Sequence, residues 1–156
     1  MARLVPVITL ASIAWLLLIV AAPIVASRQL EAPWLFRAAS LSYVGGAIIC
    51  HQRPERSFQV AGIPMPVCAR CTGLYAAAPL GLLAAMLPAA ALVRRHAKPR
   101  QLRRVLLLAA APIAMSIVAE RAGLWQPSNL ERCLTALPSG FVVAWLAGAA
   151  ARGYLR

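Results

Sequence analysis

Residues 4–27 read LVPVITLASIAWLLLIVAAPIVAS, with Arg3 before them, Arg28 after them and no charged side chain between. As a helix rising about 1.5 Å per residue, this run is long enough to cross a hydrocarbon core of about 30 Å. Arg3 would serve as the minimal basic start of a secretory signal. The apolar stretch is longer than such a signal needs, however, and Ile24-Val25-Ala26 is a poor small-residue cleavage site. The run predicts a retained membrane helix, and that reading sets the frame for the rest of the chain.

Working outward, residues 72–93 form a second apolar run between Arg70 and Arg94, and 134–151 form another between Arg132 and Arg152. Residues 105–119 are free of charge but short. Extending them to Trp125 brings Glu120 and Arg121 to the interface, with Trp125 as an aromatic anchor. Pro79, Pro88, Pro112 and Pro138 fall within or near the ends of these spans, where bundles tolerate kinks. Residues 38–50 are apolar but too short to cross, and they contain Gly45-Gly46, which fits an interfacial or re-entrant helix. If that segment crossed, everything downstream would invert. The expected architecture is a single 1–156 domain, an all-α integral membrane protein with four transmembrane helices (about 4–27, 72–93, 105–125 and 134–151). The short extra helix lies in a motif loop, 28–71.

Composition agrees. The chain is 62% hydrophobic and 13% charged, with a mean hydropathy of +0.74, too few charges to cover the surface of a soluble domain. Lys and Arg number 16 against 4 Asp and Glu, for a net charge of +12. The basic residues fall mainly between apolar runs, facing headgroups, and there is no aromatic-interleaved basic face or paired-histidine zinc-finger spacing. Membrane lipid is therefore the expected partner and nucleic acid is not. The segment holding Arg94, Arg95, Lys98, Arg100, Arg103 and Arg104 reads as cytoplasmic by the positive-inside rule. Both termini are then cytoplasmic, and loops 28–71 and 120–133 share the other face. Arg-over-Lys preference with abundant Ala suggests a GC-rich bacterial genome, hence a multi-pass protein of a bacterial inner membrane.

All four cysteines, Cys50, Cys68, Cys71 and Cys133, fall in or beside the two loops assigned to one face, and His51 follows Cys50 directly. His96 sits in the basic segment and is most simply a solvated member of it. The pattern Cys50-His51-Gln52, Arg56-Ser57-Phe58, Cys68-Ala69-Arg70-Cys71-Thr72-Gly73 and Ser128-Asn129-Leu130-Glu131-Arg132 resembles an uncharacterised family of small bacterial membrane proteins, domain of unknown function 2085. The resemblance covers roughly residues 40–150 and is strongest in its first half. The family often carries an acid in its third helix where this chain has Ser116, and a Thr-Gly where this chain has Thr135-Ala136. It implies an architecture but no reaction.

Three chemistries compete for the motif. A Cys-x-x-Cys pair lets Cys68 and Cys71 bind one tetrahedral metal ion, most simply zinc, with Cys50 or His51 completing the set and Cys133 as an alternative fourth ligand. The same pair at a helix N-terminus would suit thiol–disulfide exchange, because the macrodipole lowers a thiol pKa; Cys50 with Cys133 would then relay electrons. The plainest alternative is a structural disulfide or buried small side chains in a non-catalytic lipid-binding or scaffold protein. Arg53, Arg56, Arg70, Arg121 and Arg132 are candidates to clamp an anionic group or simply to snorkel. Glu55, Glu120 and Glu131 are their candidate partners, Glu120 foremost because it sits at the membrane boundary. Gln52, Ser57, Thr72 and Asn129 are candidates to hydrogen-bond a ligand or the metal's outer shell. Ser128-Asn129-Leu130-Glu131 fits a capping box. Arg70-Cys71 and Arg132-Cys133 each open an apolar run, which is a faint internal echo.

Overall fold

The computed structural model describes residues 4–28, 32–87 and 98–152. Five helices make up most of it: α1 (Leu4–Arg28), α2 (Pro33–Ile49), α3 (Ala69–Met86), α4 (Pro99–Arg121) and α5 (Asn129–Ala151). Between α2 and α3 come a 3₁₀ turn, Pro54–Arg56, and a two-stranded hairpin, β1 (Gln59–Val60) and β2 (Ile63–Pro64). The hairpin adds a small sheet to an expected all-α fold. Its turn, Ala61-Gly62, has positive φ at both residues (52° and 78°), the backbone a tight hairpin turn needs.

α3 and α5 form the centre. On α3 the buried side chains include Ala69, Gly73, Ala77, Gly81 and Ala85; on α5 they include Ala136, Gly140, Ala144 and Gly148. Each set repeats every four residues, so each helix presents one stripe of small residues, and the stripes face one another. A Cβ on Gly73 would collide with the Cys133 carbonyl, and one on Gly140 with the Leu74 backbone. Small-xxx-small faces let helix backbones approach closely where lipid supplies no hydrophobic drive to associate. The contacts run in the same sequence direction on both helices, Gly73 meeting Cys133 and Ala136 while Gly148 meets Ala85. α3 and α5 are therefore parallel, as the four-span reading requires.

α1 packs antiparallel to α3: Val5 meets Leu82 near one end, and the Trp15 ring meets Tyr75 edge-on at 6.1 Å nearer the other. α4 runs back along α5, where Ser139 Oγ donates to the Ala109 carbonyl at 2.9 Å. Only Ala109 and Ser116 of α4 are buried. Leu107, Leu108, Met115 and Val118 stay exposed, as do Leu10 and Leu17 of α1, surfaces suited to lipid rather than water.

Among the described residues, three helices are long and apolar enough to cross a bilayer: α1, α4 and α5. α3 is described only through Met86 and Leu87; the remainder of the expected 72–93 span, with Pro88, Arg94, Arg95 and His96, lies outside the described residues. α3, α4 and α5 start at Ala69, Pro99 and Asn129, ahead of the expected 72, 105 and 134, and two further boundaries differ from expectation. α4 stops at Arg121 rather than Trp125, because Gly123 (φ 72°) turns the chain. The Leu124 N–H then donates to the Ala119 carbonyl at 2.9 Å and the Gly123 N–H to that of Glu120 at 3.2 Å, a Schellman ending. α2 starts at Pro33, not residue 38, since proline suits a first helical turn whose N–H groups lack partners anyway.

Candidate functional site

The site is built where α2 ends and α3 begins. Cys50 is the C-cap of α2, Cys68 the N-cap of α3, and Cys71 lies one turn into α3. The sulfurs of Cys50, Cys68 and Cys71 lie within 4.8 Å of one another. The Cys68 N–H donates to Cys50 Sγ at 3.2 Å. Hydrogen bonding from Cys71 holds the Cys68 thiol down, to about 5, at the positive end of the α3 dipole.

The approach of the two loops is set by Gln52, Gly46 and Tyr43, of which sequence reading passed over only Tyr43. Gln52 Nε2 donates to the Tyr43 carbonyl at 2.6 Å and to the Pro66 carbonyl at 2.7 Å, tying α2 to the strand leading into Cys68. Gln52 does so from φ 44°, a conformation unusual for a side chain with a Cβ. Tyr43 OH donates to the Pro64 carbonyl at 2.8 Å. Gly46 is required here, since a Cβ would strike the Pro66 carbonyl. Behind the sulfurs stands an apolar wall of Ile19, Met65 and Val67, with Tyr75 against it.

In front of them lies a cavity of about 550 Å³, lined by His51, Cys68, Cys71, Leu74 and Ile113 together with Arg53, Arg56, Arg70, Arg121 and Arg132. Three of those arginines converge on one acid. Glu120 Oε1 accepts from Arg132 (2.8 Å) and forms an ion pair with Arg56 (3.1 Å), and Oε2 accepts from Arg70 (2.7 Å). The Glu120 side chain is 9% exposed, those of Arg132, Arg70 and Arg56 11%, 14% and 33%. Arg70 also donates to Ser116 Oγ at 3.1 Å. Glu120 lies one turn beyond Ser116 on α4, so Arg70 reaches both. Arg132 donates to Asn129 Oδ1 at 3.0 Å, and Asn129 Nδ2 donates to the Ser57 carbonyl at 2.9 Å, docking α5 on the motif loop. The Ser128–Glu131 capping box is formed, with Ser128 N–H to Glu131 Oε2 at 2.7 Å and Glu131 N–H to Ser128 Oγ at 3.2 Å.

The expected residues thus divide. Cys50, Cys68 and Cys71 form the sulfur trio. His51 is exposed and lines the cavity outside that trio, while Cys133 stays apart, its carbonyl against Gly73. Arg56, Arg70 and Arg132 gather on Glu120. Gln52, Ser57 and Asn129 brace the loops, and Thr72 Oγ1 donates to the Cys68 carbonyl at 3.2 Å.

The fold and this face together describe a helical membrane protein with a thiol trio and an arginine-lined cavity at one end of its bundle. The chain belongs to the family described as predicted membrane protein, DUF2085, which it matches over residues 50–146. It is similar to an uncharacterised protein of Methanocaldococcus jannaschii, 32% identical over 72% of this chain and 69% of that one. It is also similar to an uncharacterised protein of Methanothermobacter thermautotrophicus, 34% identical over 63% of this chain and 83% of that one. Both relatives are archaeal. No solved structure matches the chain.

Proposed function

We propose that this is a four-span membrane metalloprotein in which Cys50, Cys68 and Cys71 bind one zinc ion at the face opposite the Arg94–Arg104 basic segment. The observation that carries the reading is the approach of three sulfurs from two chain segments to within 4.8 Å. A tetrahedron of zinc–sulfur bonds of about 2.3 Å has edges of about 3.8 Å, so an adjustment of at most about an ångström completes it. Cys68, Cys71 and His51 line the same cavity, so water or His51 would complete the set. The positive-inside rule puts the site on the external side of a prokaryotic cytoplasmic membrane, with the alanine- and arginine-rich composition favouring a bacterium.

One observation favours a second reading, thiol–disulfide exchange: the sulfurs of Cys68 and Cys71 lie close together at the N-terminus of α3. It is ranked below zinc because a relay needs a second cysteine pair, and Cys50 lies with Cys68 and Cys71 rather than with Cys133. Metal analysis of detergent-purified protein separates the two. The zinc reading expects about one equivalent per chain, lost in Cys68→Ser/Cys71→Ser. Metal at background in wild type, with a Cys68–Cys71 disulfide that forms and opens on dithiol or quinone treatment, would replace zinc by exchange.

A further inference from the structure

The arginines around the cavity exceed what the protein itself neutralises. Five line it, and Glu120 is the single acid that accepts from them among the described residues. Arg70 and Arg132 are largely buried, and the Nε of each is a buried donor with no hydrogen-bond partner. Arg53 and Arg121 have no acidic partner among the described residues. Buried guanidinium in excess of carboxylate is costly unless an anion joins it. Arginine also offers the forked donors that match tetrahedral oxyanions.

The cavity's shape narrows the ligand. Its volume suits a small organic molecule rather than a bare ion. Leu74 lies one turn beyond Arg70 along α3, and Ile113 lies about one turn before Ser116 along α4, so both sit on the membrane side of the arginines. α3 and α4 each pack on α5, and Arg70 joins them at the charged end through Ser116 and Glu120. The cavity is polar and cationic toward the face and apolar toward the bilayer. We propose that it is a binding site for a phosphate ester, the phosphate held by Arg53, Arg56 and Arg121 beside the Arg70–Glu120–Arg132 cluster. An apolar portion would lie along Leu74 and Ile113. The source of the phosphate is an anionic lipid headgroup or a free phosphate compound, and the two arms of the test distinguish them. The site stands without the metal, since none of its arginines depends on the sulfurs.

The test uses the full chain in nanodiscs of phosphatidylglycerol or phosphatidylcholine, with retained lipid measured by native mass spectrometry after transfer to detergent. Inorganic phosphate is the second probe, added as a competitor. Arg53→Gln/Arg121→Gln removes two exposed, unpaired guanidiniums and leaves the Glu120 cluster intact, so it should fold. Wild type should retain phosphatidylglycerol over phosphatidylcholine, and the double variant should lose about tenfold or more of that preference. Arg100→Gln/Arg103→Gln, at the opposite end of α4, should lose none of it. Metal analysis of Arg53→Gln/Arg121→Gln should show the zinc content of wild type, since neither arginine belongs to the sulfur trio, so loss of zinc and loss of the anion site are read separately. Binding of inorganic phosphate that weakens in Arg53→Gln/Arg121→Gln, without lipid preference, assigns the site to a free phosphate compound. Neither probe binding, or equal losses in the two arginine pairs, overturns the proposal.

Discussion

Glu120→Gln is the sharpest test of how this end of the bundle is held. The carboxylate is the shared ion-pair partner of α3 through Arg70, of α5 through Arg132 and of the motif loop through Arg56. Glutamine keeps the shape but loses the charge and one acceptor oxygen, leaving three guanidiniums facing one another. Arg56 is a third exposed and is counted as contributing nothing. Arg70 and Arg132 are largely buried, and breaking such a pair by removing one partner costs about 3–5 kcal/mol. The amide oxygen recovers part of that, so the net cost is about 3 kcal/mol, or roughly a hundredfold in the folded-to-unfolded ratio. For a chain of this size, that corresponds to a fall of about 6–12 °C in melting temperature. Tryptophan emission during a thermal ramp in detergent would measure it, with Arg70→Gln and the double variant run alongside. Because the two residues share one interaction, the double variant should cost little more than Glu120→Gln alone. A melting temperature within about 2 °C of wild type, or fully additive costs, would show that Glu120 does not clip the helices together.

Three further outcomes follow from the fold. Ser128→Ala removes the side chain that accepts the Glu131 N–H and should cost about 1 kcal/mol in the same thermal assay; no change would mean the cap is redundant. Gly140→Ala places a methyl against the Leu74 backbone and should cost about 1–3 kcal/mol through overpacking, whereas a neutral result would mean α3 and α5 are farther apart than described. In a background lacking the native cysteines, Gln59→Cys on the hairpin and Gln101→Cys at the start of α4 should be labelled by a membrane-impermeant maleimide from opposite sides of the membrane. Labelling from one side would reject a single crossing between them.

Much of the membrane fold was legible because its signal is strong and local. Uncharged runs bounded by arginine predicted α1 and α5, and Ser128-Asn129-Leu130-Glu131 marked the start of α5 through its capping chemistry. The hairpin at Gln59–Pro64 was not legible, since its turn uses Ala61 where Asn or Asp normally signals φ > 0. The end of α4 was overrun because hydropathy continues through Leu124 and Trp125. Gly123 was the cue, and it had to be weighed as a C-terminal cap rather than one more small residue. At the site, the Cys-x-x-Cys spacing and the membrane-boundary position of Glu120 pointed to residues that the fold gathers at one end of the bundle. What the sequence concealed was which arginines meet Glu120, because Arg56, Arg70 and Arg132 lie on three different segments. The roles of Tyr43 and Gly46 were equally hidden, since each acts on backbone far along the chain.

Charge balance links the thiol trio to the arginines. α3 and α5 are parallel, so both direct their N-termini, and the positive ends of their dipoles, at the same face. The five arginines add to that field, offset by Glu120. A cation alone would be repelled there. Three thiolates holding one zinc ion carry one excess negative charge, so the assembled centre is attracted to the field that would exclude the bare ion. One negative charge does not neutralise four excess guanidiniums, and the remaining imbalance is what a phosphate group in the cavity would meet. The two proposals therefore make opposite use of one field: it attracts the negative zinc–thiolate centre, and it leaves a positive remainder next to that centre. If so, filling the cavity with phosphate should weaken that field and make Cys68 less reactive toward a maleimide in metal-free protein. Unchanged reactivity on saturation with phosphate would mean that the cavity and the sulfurs do not share an electrostatic environment.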